Sequence, residues 1–176
     1  MKRIHLLLSA LAAAVLLLAA SAAPAAATAE TPAPSGQYCV MVIGKAPPGK
    51  ASPVRSHECA DDYATASRKA GASDTVLLME WFWNANNSPS NLTRIHGDYG
   101  NCDADGYHIN ILDHWANNIS GFNSYSRCNV VTGYNFTLWE GDRQTWSMNK
   151  PCRCLLQGWV GSYMNDRIES FWIRQG

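Results

Sequence analysis

Glu80, Asp98, Glu140 and Asp142 offer enough carboxylates for a general acid and base on a glycosidic bond, provided the fold brings two of them face to face. His108, Asp113 and His114 stand close together in the chain and would suit a metal ion or an acid/base pair. Alternation along an extended segment puts His108 and Asp113 on opposite faces, so they read as surface residues. The chain has no G-x-S-x-G elbow, no H-E-x-x-H pair, no phosphate loop and no dinucleotide glycine pattern. It therefore reads as non-catalytic.

Cysteines are the other reactive set: Cys39, Cys59, Cys102, Cys128, Cys152 and Cys154. There is no C-x-x-C knuckle, and no His is read at ligand spacing beside a cysteine, so zinc is not expected. An even count behind an export signal reads as three disulfides formed in an oxidising compartment. Locality favours Cys39–Cys59, Cys102–Cys128 and Cys152–Cys154, the last a strained pair two residues apart.

The export signal is the N-terminus itself. Lys2 and Arg3 precede an apolar run from Leu6 to Ala20, and Ala-x-Ala cleavage candidates end at Ala27 and Ala29. The run is too short and wrongly flanked for a membrane anchor. Residues 1–29 are thus expected to be a signal peptide and the protein to be secreted. Of 14 basic residues, Lys2 and Arg3 leave with it, so 12 remain against 14 acidic ones. Without a basic cluster, neither nucleic acid nor an anionic membrane is an expected partner, and the chain reads as a monomer.

The elements that must position these residues follow from composition. Residues 30–36 are a Pro/Ala/Thr spacer with little to bury, expected to be disordered. Residues 37–74 read as a disulfide-stapled extension with a strand at Tyr38–Ile43, the loop Lys45-Ala-Pro-Pro-Gly-Lys50 and an Ala-rich helical turn beyond Cys59. From Thr75 onward short apolar or alternating runs repeat between Asn and Gly. Val76–Trp83, Thr93–His96, His108–Leu112, Ile119–Tyr125, Asn129–Tyr134, Thr137–Glu140, Trp159–Tyr163 and Ile168–Ile173 read as strands, so residues 75–176 are expected to form an all-β domain. The seven Trp read as core and hairpin covers rather than as a sugar-stacking platform. Three N-x-S/T sequons, at Asn91, Asn118 and Asn135, are matches that an Asn-rich chain produces by chance.

Internal repetition is the most specific feature. Asn117-Asn118-Ile119-Ser120-Gly121-Phe122 and Asn165-Asp166-Arg167-Ile168-Glu169-Ser170-Phe171 align Ile119 with Ile168 and Phe122 with Phe171. Ahead of each lies an aromatic strand, Glu80–Trp83 in one copy and Tyr134–Gly141 in the other. Two four-strand units packed face to face would bury what neither buries alone.

Tyr134-x4-Trp139-x-Gly141 resembles the Greek-key signature of the βγ-crystallin family in its secreted bacterial form, and Asn165-Asp166-x-x-Glu169-Ser170 resembles that family's late motif. In the first copy Phe82 takes the opening aromatic place, whereas Asn87 and Pro89 replace the second aromatic and the glycine, and Ala116 replaces the first acidic residue. The resemblance implies a sandwich of two tandem Greek-key motifs. It also implies calcium sites built by exchange: Asp166 with Ser120, and Asn117 with Glu169. With Ala116 and Glu169 in place of the usual ligands, at most a weak Ca²⁺ site is expected, and no cofactor is required. The family includes small secreted metalloproteinase inhibitors. That makes a peptidase-inhibitor-like binding protein, with an extracellular protease as partner, the most specific expectation. The loop between Gly44 and Ser56 supplies its contact candidates Lys45, Pro47, Pro48, Lys50 and Arg55. A calcium-stabilised structural or stress protein and an antimicrobial or killer-toxin-like protein are the alternatives.

Overall fold

The structure is a computed structural model that describes residues 38–86, 91–148 and 155–176, all within one compact unit. Strand β1 (Tyr38–Ile43) is apolar without a break because both its faces are covered. Met41 and Ile43 enter the main core, while Val40 and Val42 meet Ala66 and Ala70 of helix α1 (Tyr63–Ala70). The helix starts at Asp62, whose carboxylate accepts from Thr65 N, and stops at Gly71 in the left-handed region. Strand β2 (Val54–Ala60) folds back on β1 with Cys39 opposite Cys59, and the two sulfurs are bonded. Cys102 and Cys128 form the second disulfide. Cys152 and Cys154 lie outside the described residues.

Eight further strands complete two sheets: β3 (Val76–Phe82), β4 (Leu92–Gly97), β5 (Tyr107–Asn110), β6 (Gly121–Ser124), β7 (Val130–Tyr134), β8 (Arg143–Ser147), β9 (Leu155–Gln157) and β10 (Ser170–Arg174). Their orders are β2-β1-β4-β3-β6-β9 and β5-β10-β7-β8. The protein is thus mostly β. Residues 38–60 do not lie beside the larger sheet but supply two of its strands, β1 pairing in parallel with β4. Between the sheets sit Trp81, Phe122, Phe171 and Trp146, with Phe122 5.6 Å from Phe171 and Trp81 6.1 Å from Phe171 between ring centroids. These rings prefer such offset and edge contacts.

The repeat is structural. Read from β3 onward, the larger sheet runs β4-β3-β6-β9 and the smaller β8-β7-β10-β5. The third strand of each unit, β5 in the first and β9 in the second, therefore belongs to the sheet of the other unit. Phe82 pairs with Gly121 as Tyr134 pairs with Ser170, so the two opening aromatics hold equivalent places. The same correspondence runs through the connecting bonds. Ser120 N donates to Phe82 O as Glu169 N does to Tyr134 O, Val160 N to Ser120 O as Ile111 N to Glu169 O, and Asp166 N to Ile119 O as Asn117 N to Ile168 O.

Two expected strands are turns instead. Thr137–Trp139 is one 3-10 turn, with Leu138 and Trp139 at φ of 55° and 53°, a conformation no strand admits. Trp159–Tyr163 is irregular because Gly161 turns the chain at φ +88° and its carbonyl receives Met164 N and Asn165 N. Trp139 is half-buried and covers the hairpin from outside, with its ring 4.3 Å from that of His108. Gly141 has a positive φ of +78°, and a Cβ there would fall 2.3 Å from Asn135 Oδ1.

Phe122→Ala and Phe171→Ala, at equivalent buried places, should each cost about 3 to 5 kcal/mol in denaturant unfolding. Gly141→Val should cost about 1 to 2 kcal/mol for its backbone conformation alone, and more for the contact with Asn135. A loss below 1 kcal/mol for either Phe variant would place that ring outside the common core.

Candidate functional site

Residues 44–53 join β1 to β2 and are fastened at several points. Gly44 N donates to Pro53 O (2.9 Å), and Lys50 N to Pro47 O (3.0 Å) across a tight turn. Ser52, buried at 5 % exposure, is sewn to β5: its N donates to His108 O (2.7 Å) and its Oγ accepts from His108 N (3.1 Å). Lys45 is the anchor. Its Nζ donates to Asp103 Oδ2 (2.5 Å), lies 4.0 Å from Asp105 and rests 4.9 Å from the centre of the Tyr99 ring. The hydrogen bond to Asp103 raises the Lys45 pKa above 10.5. The same bond, seconded by Gly106 N, lowers that of Asp103 below 3.8. What remains outside is the tip, Pro47-Pro48-Gly49-Lys50, all exposed.

Of the five contact candidates, Lys45, Pro47 and Pro48 therefore come together and Lys50 lies beside them at the tip. Arg55 stands apart in β2, where its Nε binds Asp98 (3.0 Å). The Cys39–Cys59 bridge ties the hairpin at the end away from this loop. Stiffness in the loop comes from its prolines and from bonds to other segments.

Behind the loop lies a cleft of about 540 Å³ walled by Lys45 to Gly49, Tyr99, Asp105, Gly106, His108 and Trp172. His108 and Trp172 stack at 5.3 Å, and the Arg174 guanidinium lies 4.5 Å from the Trp172 ring centre on the same strand. Trp172 Nε1 donates to Asp105 O (2.8 Å). Burial lowers the His108 pKa, opposed by the nearby Asp105 carboxylate, and so favours the neutral ring. Tyr99, Asp103, Asp105 and Trp172 escape a reading of the sequence. Tyr99, Asp103 and Asp105 share the turn-rich run Gly97–Gly106, whereas Trp172 comes from β10, and nothing in the sequence links the two.

The exchanged pairs also meet. Ser120 Oγ donates to Asp166 Oδ1 (3.3 Å) and Asn117 Nδ2 to Glu169 Oε1 (2.8 Å), with Asn117 and Asp166 both at positive φ. Each pair joins one unit to the other. Three of the four carboxylates considered for glycosidic chemistry are held in ion pairs: Glu80 with Arg94 (2.7 Å), Asp98 with Arg55 and Asp142 with Arg167 (2.7 Å). Glu80 also accepts from Tyr125 Oη (2.6 Å). His108 stacks on Trp172 and meets Trp139 at a tilt, whereas His114 packs on Trp83 and Trp115. A histidine does stand beside cysteines, against expectation: the ligand atoms of Cys39, His57 and Cys59 lie within 4.8 Å of one another. H-x-C spacing in β2 is the sign of it. With the two sulfurs bonded to each other, no thiolate is offered to a metal there. Two sequons have buried hydroxyls, Thr93 and Ser120, and in the third Asn135 Oδ1 accepts from Asp142 N.

Lys45→Met should speed amide exchange at Ala46, Gly49, Lys50 and Ala51 by roughly two- to fivefold at neutral pH, the range for a partly exposed ion pair. Lys50→Met should leave it unchanged. Because the Asp103 pKa is depressed, the anchor holds above its ordinary value and is released as pH falls through the lower folded one. Equal exchange in Lys45→Met and wild type would show that the ion pair does not fix the loop.

Comparison with protein families, with curated proteins and with solved structures finds no match for this chain.

Proposed function

We propose that the protein is exported and acts by binding rather than by catalysis, on a βγ-crystallin-like sandwich of two tandem Greek-key units with residues 37–74 as a disulfide-tied N-terminal extension. The reciprocal placing of β5 and β9 supports the fold reading, and the two disulfides support an oxidising destination. The partner class favoured is an extracellular peptidase. One observation carries this: the exposed tip Pro47–Lys50 is flanked by Lys45 and Ser52, which bond to Asp103 and His108 on other segments, and is closed on itself by Lys50 N donating to Pro47 O, so little conformational freedom remains to be lost on binding. A peptidase needs an extended, adaptable segment to cleave, and a tight Pro-Pro-Gly turn denies it one.

The test is incubation of the purified protein with a panel of metallo- and serine peptidases. Stoichiometric inhibition of at least one, weakened when Lys45→Met and Asp103→Asn are combined, is the expected result. Rapid cleavage within residues 45–51, or no inhibition across the panel, contradicts the proposal.

A second reading has its own support. The pairs Ser120–Asp166 and Asn117–Glu169 gather oxygen atoms from both units at equivalent places, as a weak Ca²⁺ site would require. Calorimetric titration should give a dissociation constant on the order of 10⁻⁴ to 10⁻³ M. It should be raised further by Asp166→Asn. Micromolar binding at two sites would contradict the assignment of a single depleted site.

A further inference from the structure

The cleft behind the loop has a composition that selects its ligand. Its volume of about 540 Å³ is that of a small-molecule site. Tyr99 stands at its rim with 66 % of its surface exposed, the most of any large hydrophobic side chain among the described residues. The segment that carries this ring is fixed on both sides. Asp98 N donates to Ile43 O (3.0 Å), Tyr107 Oη to Gly100 O (2.7 Å), and Cys102 N to Ser126 O (2.9 Å) beside the Cys102–Cys128 bridge. The Asp105 side chain is 88 % exposed, and the Lys45 ammonium lies 4.0 Å from it.

We propose that this cleft binds a neutral saccharide, with one pyranose ring lying against Tyr99 and its hydroxyls bonded to the Asp105 carboxylate. The weakly positive C–H face of a sugar suits the negative face of an aromatic ring. Sugar hydroxyls donate to a carboxylate and accept from an ammonium, and Asp105 and Lys45 both line the cleft. The competing ligand classes fit less well. A cation meets Lys45, whose ammonium already occupies the place between Tyr99 and the two carboxylates. An anion meets Asp105. A wholly apolar ligand would strip water from Asp105 and Lys45 without replacing its bonds. A polyproline peptide relies on indole N–H groups for its carbonyls, and that of Trp172 is committed to Asp105 O. The cleft shares Pro47, Pro48 and Gly49 with the loop tip, but the saccharide contacts assigned here are Tyr99 and Asp105, which the peptidase reading does not use.

The purified protein would be applied to an array of neutral glycans containing glucose, xylose, mannose and N-acetylglucosamine oligomers, and the hits titrated by calorimetry. A shallow cleft holding one or two rings predicts a dissociation constant on the order of 10⁻⁴ to 10⁻³ M. Tyr99→Ala should weaken binding by about tenfold or more, and Asp105→Asn by several-fold, both with unchanged melting temperature because the two side chains are exposed. A proline-rich peptide serves as the comparison ligand. Failure of every neutral glycan, equal glycan affinity in Tyr99→Ala, or binding of the peptide in place of glycans would each overturn the proposal. Peptidase inhibition by Tyr99→Ala reports separately on the loop tip.

Discussion

Neither four-strand unit can bury its apolar face with its own strands, because each gives its third strand to the sheet of the other. That reciprocal exchange is the constraint on which the remaining structure depends. It sets Phe122 and Phe171 against each other at 5.6 Å and brings Trp81 and Trp146 onto the same pair. It also dictates the polar contacts at the crossing, where Asn117 bonds to Ile168 and Glu169, and Asp166 bonds to Ile119 and Ser120. A core closed this way has no surface at which one unit peels from the other.

With the inner faces committed, variation is confined to the outside. The larger sheet is lengthened by β1 and β2, and α1 covers the added strands. His96 fastens that cover: its Nε2 meets Tyr63 Oη (3.1 Å) and its Nδ1 meets Thr75 Oγ (3.0 Å). Burial lowers its pKa, so the clamp is favoured in the neutral state and weakens as pH falls below the ordinary value of 6.5. The smaller sheet carries the β1–β2 loop across its end through Ser52 and His108. The cleft therefore arises where an added hairpin meets the exchanged strand β5.

How much of this was legible depended on where each element lies. β1, β3, β7 and β10 were readable because central strands bury side chains and so carry apolar runs. The repeat was readable because Ile119, Ile168, Phe122 and Phe171 are all wholly buried, leaving equivalent places little freedom. β2, β8 and β9 were not recognised as strands. All three are sheet edges, and in β8 only Trp146 is buried, so no alternation survives. Aromatic content at Leu138–Trp139 and Trp159–Tyr163 suggested strands, yet positive backbone angles turn both segments. The cleft was hidden for a different reason: Lys45, Tyr99, Asp105 and Trp172 are brought together only by the fold. His57 was overlooked although it stands two residues from Cys59.

Native-state hydrogen exchange tests the exchange of strands most directly. Amides in β5 (Tyr107–Asn110) and β9 (Leu155–Gln157) should open in one cooperative step with a common free energy. Phe171→Ala should lower protection in both strands equally, although Phe171 pairs only with the smaller sheet across β5 and β7. If β9 keeps its protection while β5 loses it, the two units are separable and the reciprocal core is not what holds the protein together.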